Sequence, residues 1–163
     1  LSTLFGVLVG SRGAGGLLDR ATVIQLHSRW ALVALAATGL HVLTVVGDPY
    51  SGISPLAVFV PGVAQKLTVP VTLGTFALFG LTSLAVATFL ADRIPKTVWR
   101  AIHATAFGTY LLALAHGVFA GSETQVPAVR ALYLGTAAML VAAFVQRVLL
   151  SLRPSTSKDG TAP

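Results

Sequence analysis

The apolar residues of this chain form long runs, separated by short stretches of charged residues, proline and glycine. Four runs have the ~20 apolar residues that an α-helix needs to cross a hydrocarbon layer of ~30 Å. Asp48 with Pro49 ends the first of them, and Gly121 ends the third, because proline and glycine interrupt helices. The pattern predicts four membrane-spanning helices, at 18–46, 68–90, 97–119 and 127–152.

Two further apolar segments are too short to cross a bilayer. The segment 1–10 lacks the basic start and the cleavage site of a signal peptide, and we interpret it as the end of a truncated helix. The segment 53–63 is interrupted by Pro55 and Pro61, which predicts an interfacial or re-entrant segment. The expected fold class is all-α, a polytopic transmembrane bundle of at least five helices.

Composition supports a single membrane domain at 1–152 with a polar C-terminal tail at 153–163. Hydrophobic residues make up 55% of the 163 residues and charged residues 10%, with a mean hydropathy of +0.82. Soluble domains carry roughly 25% charged residues, so this chain has too little polar surface for that class. The absence of cysteine excludes disulfides, thiolate ligands and cysteine nucleophiles.

The basic residues predict the orientation in the membrane. Alternating spans place nine of the 11 Lys and Arg residues on one side, which by the positive-inside rule is cytoplasmic. The net charge of +6 therefore reflects topology rather than nucleic-acid binding, and the C-terminus is expected in the cytoplasm. Lys66 and Arg130 fall on the other side, and the nine are Arg12, Arg20, Arg29, Arg93, Lys96, Arg100, Arg147, Arg153 and Lys158.

All four histidines lie in two of the predicted spans. His27 and His41 are in the first, and His103 and His116 are in the third. These two spans run in the same direction, and their histidines are separated by ~21 and ~20 Å along the helix axes. We therefore expect two histidine pairs at matched depths, His27 with His103 and His41 with His116.

The two histidines of the third span do not lie on one face of an ideal helix, whereas those of the first span do. On ideal helices His27 and His41 differ by about 40°, whereas His103 and His116 differ by about 140°. A π-bulge, a kink near Gly108 or supercoiling has to bring the latter two onto one face.

Paired imidazoles from facing helices in an apolar bundle suit the axial ligation of haem iron. Small residues on both helices leave room for a flat macrocycle, although they also serve ordinary helix packing. Zinc would favour tighter clusters with cysteine or carboxylate, and single membrane histidines also act as proton relays or pore groups. The small residues are Ala31, Ala34, Ala36, Ala37, Gly39, Ala104, Ala106, Gly108, Ala113 and Ala115.

Two stretches, LHSRWALVALAATGLHVL (26–43) and VWRAIHATAFGTYLLALAHGVF (98–119), resemble the haem helices of the ferric reductase-like transmembrane domain family. The likeness lies in the His-x13-His and His-x12-His spacings and in the Trp-Arg-x-x-His and Tyr-Leu elements, and it covers roughly 1–150. It implies two haem b groups, one on His27 and His103 and one on His41 and His116. It also implies electron transfer across the bilayer, as in ferric reductases, NADPH oxidases and the haem-b membrane subunit of the bacterial methionine sulfoxide reductase system.

One departure from that family concerns the electron donor. Ferric reductases and NADPH oxidases continue into a flavin domain, whereas this sequence carries no GxGxxG motif, and its Gly-rich stretch at 10–16 follows a membrane helix rather than a strand. Electrons are expected from a partner protein carrying flavin or from quinol. This favours an electron-transfer subunit in a bacterial inner membrane over a ferric reductase or NADPH oxidase core. A cytochrome b561-type carrier and a haem-free assembly or transport subunit also remain open as hypotheses.

Further residues are candidates for contact with the haem groups. Arg29 and Arg100 lie near the cytoplasmic-side histidines and are candidates to bind propionates, and Lys66 is a candidate on the other side. Both arginines also suit snorkelling to lipid headgroups. Trp30, Phe107 and Tyr110 are candidates to pack on the rings. The five carboxylates form no paired acid/base site, so any substrate chemistry is expected on another protein.

Overall fold

A computed structural model describes residues 2, 3, 5, 6 and 19–152. These residues are helical apart from short connections and contain no β-strand. The tail at 153–163, the Gly-rich stretch at 10–16 and Arg12 lie outside the described residues. The helices are α1 (Arg20–Gly47), α2 (Pro55–Phe59), α3 (Thr68–Phe89), α4 (Lys96–Ala104), α5 (Ala106–Ala120) and α6 (Pro127–Ser151), with a 3₁₀ turn at Ser122–Gln125.

Four helical segments are long and apolar enough to cross a membrane, as the sequence predicts. They are Arg20–Gly47, Thr68–Phe89, Lys96–Ala120 and Pro127–Gln146, and α4 and α5 together make the third. Large apolar side chains project outward from them, for example Leu43 at 72% exposure and Phe89 at 87%. Such a surface suits lipid rather than water. The sequence predicts a truncated helix at 1–10, and residues 2, 3, 5 and 6, which the structure describes there, are helical. The full extent of this helix stays a prediction.

The helix starts differ in how they are capped. The Asp19 side chain caps α1, accepting the amide of Thr22 at 3.2 Å and also the Thr22 hydroxyl. Before α3, Leu67 adopts a left-handed conformation with φ 51° and provides no side-chain cap. Pro127 occupies the first turn of α6, where its missing amide hydrogen costs no helical bond.

The interrupted apolar segment at 53–63 forms the short helix α2, which packs against α3. The Thr75 hydroxyl donates to the carbonyl of Ala57 at 3.1 Å, and both residues are buried. The amide of Gly62 donates to the Thr72 hydroxyl at 3.0 Å. These bonds fold the segment back onto α3, and it does not form a spanning helix of its own.

The most intimate helix contact is between α3 and α5. It depends on Gly74 and Gly80, where an added Cβ would clash with His116 and Thr109. Small residues of α3, Ala77 and Ala87, are buried in the bundle. Along α1, by contrast, most side chains between His27 and His41 are exposed. The part of α1 that carries these two histidines is therefore little covered by the other described helices.

Candidate functional site

The structure brings the four histidines together in two cross-helix pairs. The rings of His27 and His103, the first pair, have centroids 5.9 Å apart and planes inclined by 72°. The rings of His41 and His116, the second pair, have centroids 6.0 Å apart and planes inclined by 73°. The order of the pairs along the chain shows that α1 and the α4–α5 segment run in the same direction.

The third spanning segment is interrupted at Thr105, between His103 and His116. The Thr105 amide donates to the carbonyl of Ile102 at 3.0 Å, a three-residue step typical of a 3₁₀ turn, and its hydroxyl reaches the same carbonyl at 2.7 Å. A new helix starts at Ala106, with the Thr109 amide bonded to the carbonyl of Thr105. The interruption thus lies at Thr105 rather than at Gly108, and it separates the helix that carries His103 from the helix that carries His116.

One ring in each pair donates a hydrogen bond to a backbone carbonyl. Nδ1 of His27 lies 2.8 Å from the carbonyl oxygen of Ser2, and Nδ1 of His116 lies 2.8 Å from that of Pro70. The Ser2 hydroxyl also lies 3.1 Å from Nδ1 of His27, but it has the carbonyl of His27 as an acceptor at 3.1 Å. Because a carbonyl only accepts, we assign the proton to Nδ1 in both rings, which leaves the lone pair on Nε2. Metal-binding histidines usually have this arrangement, in which the second nitrogen is held by a backbone carbonyl or a carboxylate.

The pair distances fit an iron atom held between two imidazoles. Two metal–nitrogen bonds of about 2.0–2.1 Å in line, plus about 1.1 Å from each nitrogen to its ring centroid, give a centroid separation of about 6.3 Å. The observed 5.9 and 6.0 Å are close to this value. Direct edge-to-face contact of two rings has similar distances. The orientation of Nδ1 toward carbonyls is the independent feature that favours ligation through Nε2.

Trp99 supports the first pair from the cytoplasmic-side end predicted for α4. Its ring stacks on His103 with centroids 4.6 Å apart and planes inclined by 15°. Within the described part of the chain, its Nε1 is the one buried side-chain nitrogen or oxygen without a hydrogen-bond partner. Packing therefore holds the His103 ring in place, and the indole N–H has no acceptor among the described residues.

The basic residues predicted to bind propionates do not contact the histidine rings. Arg29 is exposed, and Nε of the exposed Arg100 donates to the carbonyl of Lys96 at 3.3 Å. The Lys66 side chain lies across Gly52 in the connection between α1 and α2. Their role at propionates stays a prediction.

The predicted aromatic neighbours are dispersed. Phe107 packs edge-on against Phe144 of α6, with centroids 5.7 Å apart. Trp30 is 38% exposed, and Tyr110 is partly buried on α5. Of the small residues, Gly39 and Gly108 have open space where a Cβ would be.

Other site types find less support among the described residues. No group of three or more His, Asp or Glu side chains is arranged to hold a metal ion there. An apolar groove of about 690 Å³ lies between α1, α2 and α3. Gly39, Leu43, Phe59, Phe79 and Val86 are among its lining residues, and none of the four histidines lines it.

Sequence reasoning used Trp99 only as part of the Trp-Arg-x-x-His element and did not predict that its ring stacks on His103. It missed Gly74 and the carbonyls of Ser2 and Pro70. Trp99 lies four residues before His103, a spacing that places both side chains on one helix face and that is visible in the sequence. The carbonyls carry no such signal, because every residue of the chain has one.

Comparison of the chain with known protein families, with curated protein sequences and with solved structures finds no match. Function is therefore inferred from the four histidines and their surroundings.

Proposed function

We propose that this protein is a membrane dihaem b-type cytochrome that carries electrons across the bilayer. The observation that supports this most is the repeated arrangement of two imidazoles from α1 and α4–α5, 5.9 and 6.0 Å apart, at two levels of an apolar bundle. The resemblance of 26–43 and 98–119 to the ferric reductase-like transmembrane domain family points the same way.

The chain's own histidines would hold the cofactors. His27 and His103 would ligate one haem, and His41 and His116 the other, with Nε2 of His27 and of His116 directed to bind by the Nδ1 bonds. Haem bound by two histidines supplies a reversible one-electron couple and leaves no open coordination position. The protein would thus pass electrons on and leave substrate chemistry to a partner.

Topology and composition support a proposal for the direction of electron flow and for the partners. With the positive side in the cytoplasm, the first pair lies toward a cytoplasmic flavoprotein or a quinol, and the second toward an acceptor on the outer side of a bacterial inner membrane. The carboxylates of the described residues lie at helix ends and in connections, away from the histidine pairs, which favours an electron-transfer subunit over a self-sufficient reductase.

The absorption spectrum of the purified protein tests the proposal. We expect a redox-active Soret band, a b-type α band and two haems per chain by pyridine haemochrome assay. A protein that stays colourless when expressed with sufficient haem would exclude the proposal and favour an assembly or transport subunit. A reporter fused after Pro163 tests the orientation: activity in the cytoplasm is expected, and activity outside would reverse it.

A further inference from the structure

The two carbonyl-bonded histidines share a local structure. Ser2 and Gly6 surround His27, and Pro70 and Gly74 surround His116. In each case the carbonyl at position i accepts Nδ1–H, and the residue at i+4 is glycine. We call Ser2 with Gly6 the first notch and Pro70 with Gly74 the second notch.

Helix geometry explains why glycine is needed at the fourth position. A helical Cβ points toward the N-terminus and covers the preceding turn, so a side chain at i+4 lies beside the carbonyl of residue i. That carbonyl accepts the amide at i+4 and has a second lone pair for another donor. Glycine leaves this lone pair open to a side chain from a neighbouring helix.

The space around each glycine shows how tightly the rings fit. A Cβ on Gly74 would lie 2.7 Å from Nδ1 and 2.8 Å from Cε1 of His116, closer than non-bonded atoms approach. A Cβ on Gly6 would lie 3.2 Å from Cε1 and 3.4 Å from Nδ1 of His27. Any larger residue would displace the ring from the carbonyl, severely at the second notch and moderately at the first.

We propose that the two notches are positioning devices, one for each haem, that fix the tautomer and the plane of one axial histidine. This rests on the proposed dihaem function. A notch leaves Nε2 as the nitrogen free to bind iron, and the hydrogen bond to Nδ1 makes the imidazole a more basic ligand, which favours ferric iron. The helix α3, which carries no histidine, therefore helps to set the potential of the haem at the second pair.

The chain offers a matched control on the same helix. Gly80 also lets α5 approach α3, since a Cβ there would clash with Thr109. No histidine lies against it, and within the described part of the chain no side-chain hydrogen bond of Thr109 accompanies the contact. Gly80→Ala therefore disturbs the packing of α3 against α5 without a direct clash with a histidine ring.

The test compares Gly74→Ala, Gly6→Ala and Gly80→Ala by haem content and by potentiometric titration. For Gly74→Ala we expect loss of the second-pair haem or a higher potential for it alone, and for Gly6→Ala a smaller rise at the first pair alone. Gly80→Ala should keep two haems at wild-type potentials, even if it melts earlier.

Three outcomes would overturn the notch proposal while the dihaem function stands. They are unchanged potentials in both notch variants, an equal shift in Gly80→Ala, and a shift at the wrong haem. If Gly74→Ala fails to fold, deuterium exchange of the Nδ1–H groups of the four histidines in the reduced wild type still tests the proposal. The groups of His27 and His116, which are bonded to carbonyls, should exchange slowly, and those of His41 and His103 should exchange fast. Four equal rates would contradict the proposal, and a wild type without haem would remove its basis altogether.

Discussion

The first and second pairs have nearly the same ring geometry but different support. In the first pair both rings are held, His27 by the Ser2 carbonyl and His103 by the Trp99 ring. In the second pair His116 is held by the Pro70 carbonyl, whereas the ring of the exposed His41 makes no hydrogen bond within the described part of the chain. The two pairs therefore have similar distances between their rings, but both rings are held in the first pair and only one in the second.

This difference indicates how the two sites should respond to change. A ring fixed before cofactor binding loses little conformational freedom on ligation, whereas a free ring must be ordered at that moment. The second pair is expected to be the weaker site, with His41 as its adaptable ligand and His116 as its anchor.

The largest expected effect is the loss of one haem on removal of a second-pair histidine. His41→Ala and His116→Ala should each leave about one haem per chain, with the same spectral component missing, because both rings belong to one site. His116→Ala should also lower the melting temperature more, since its ring packs against Gly74 between α3 and α5. Pyridine haemochrome assays and thermal melts measure both quantities, and loss of different haems by the two variants would break the pairing.

A smaller effect is expected when the support of His103 is removed. Trp99→Leu deletes a stacked contact of the kind that contributes about 0.5–1.5 kcal/mol, so the first haem should be retained about twofold to tenfold less well. Competition with a haem-scavenging protein measures the loss. Trp30→Leu is the control, because Trp30 is 38% exposed and, among the described residues, makes no ring stacking with a histidine like that of Trp99. An equal effect of Trp30→Leu would contradict a special role for Trp99.

The smallest effect is expected at the cap of α1, at the end that leads to the first pair. Hydrogen bonds from the Thr22 hydroxyl and amide hold the pKa of Asp19 below its ordinary value. A lowered folded-state pKa means that the carboxylate stabilises the fold above about pH 4 and that this contribution is lost as the pH falls. Asp19→Ala should melt slightly earlier than wild type at pH 7, and the difference should shrink toward pH 3. A difference that grows in acid would contradict this assignment.

The sequence predicted the spans closely because a lipid environment restricts the backbone to few structures. A segment in hydrocarbon must satisfy its own backbone, so apolar length alone indicates helices, and α1, α3 and α6 begin and end within about two residues of the predicted bounds. The pairing of the histidines was also predictable, since depth follows from residue count in helices that run in the same direction.

The support around the histidines was beyond sequence reasoning, because it depends on distances between helices. The bond from His116 to the Pro70 carbonyl joins residues 46 positions apart and forms only where Gly74 lets α5 approach. The break at Thr105 is set by a local competition, in which a threonine hydroxyl takes the Ile102 carbonyl. Many threonines make such bonds inside unbroken helices, as Thr38 does with Ala34, so residue type alone gives no warning.

The break at Thr105 has a consequence for insertions and deletions. Thirteen residues on an unbroken helix leave His103 and His116 about 140° apart, whereas fourteen would leave about 40°, the value expected along α1. One extra residue between them would thus be tolerated if the same change restored a continuous helix. The same insertion in α1, which is a continuous helix, would rotate His41 by about 100° around the helix axis and move its ring away from His116.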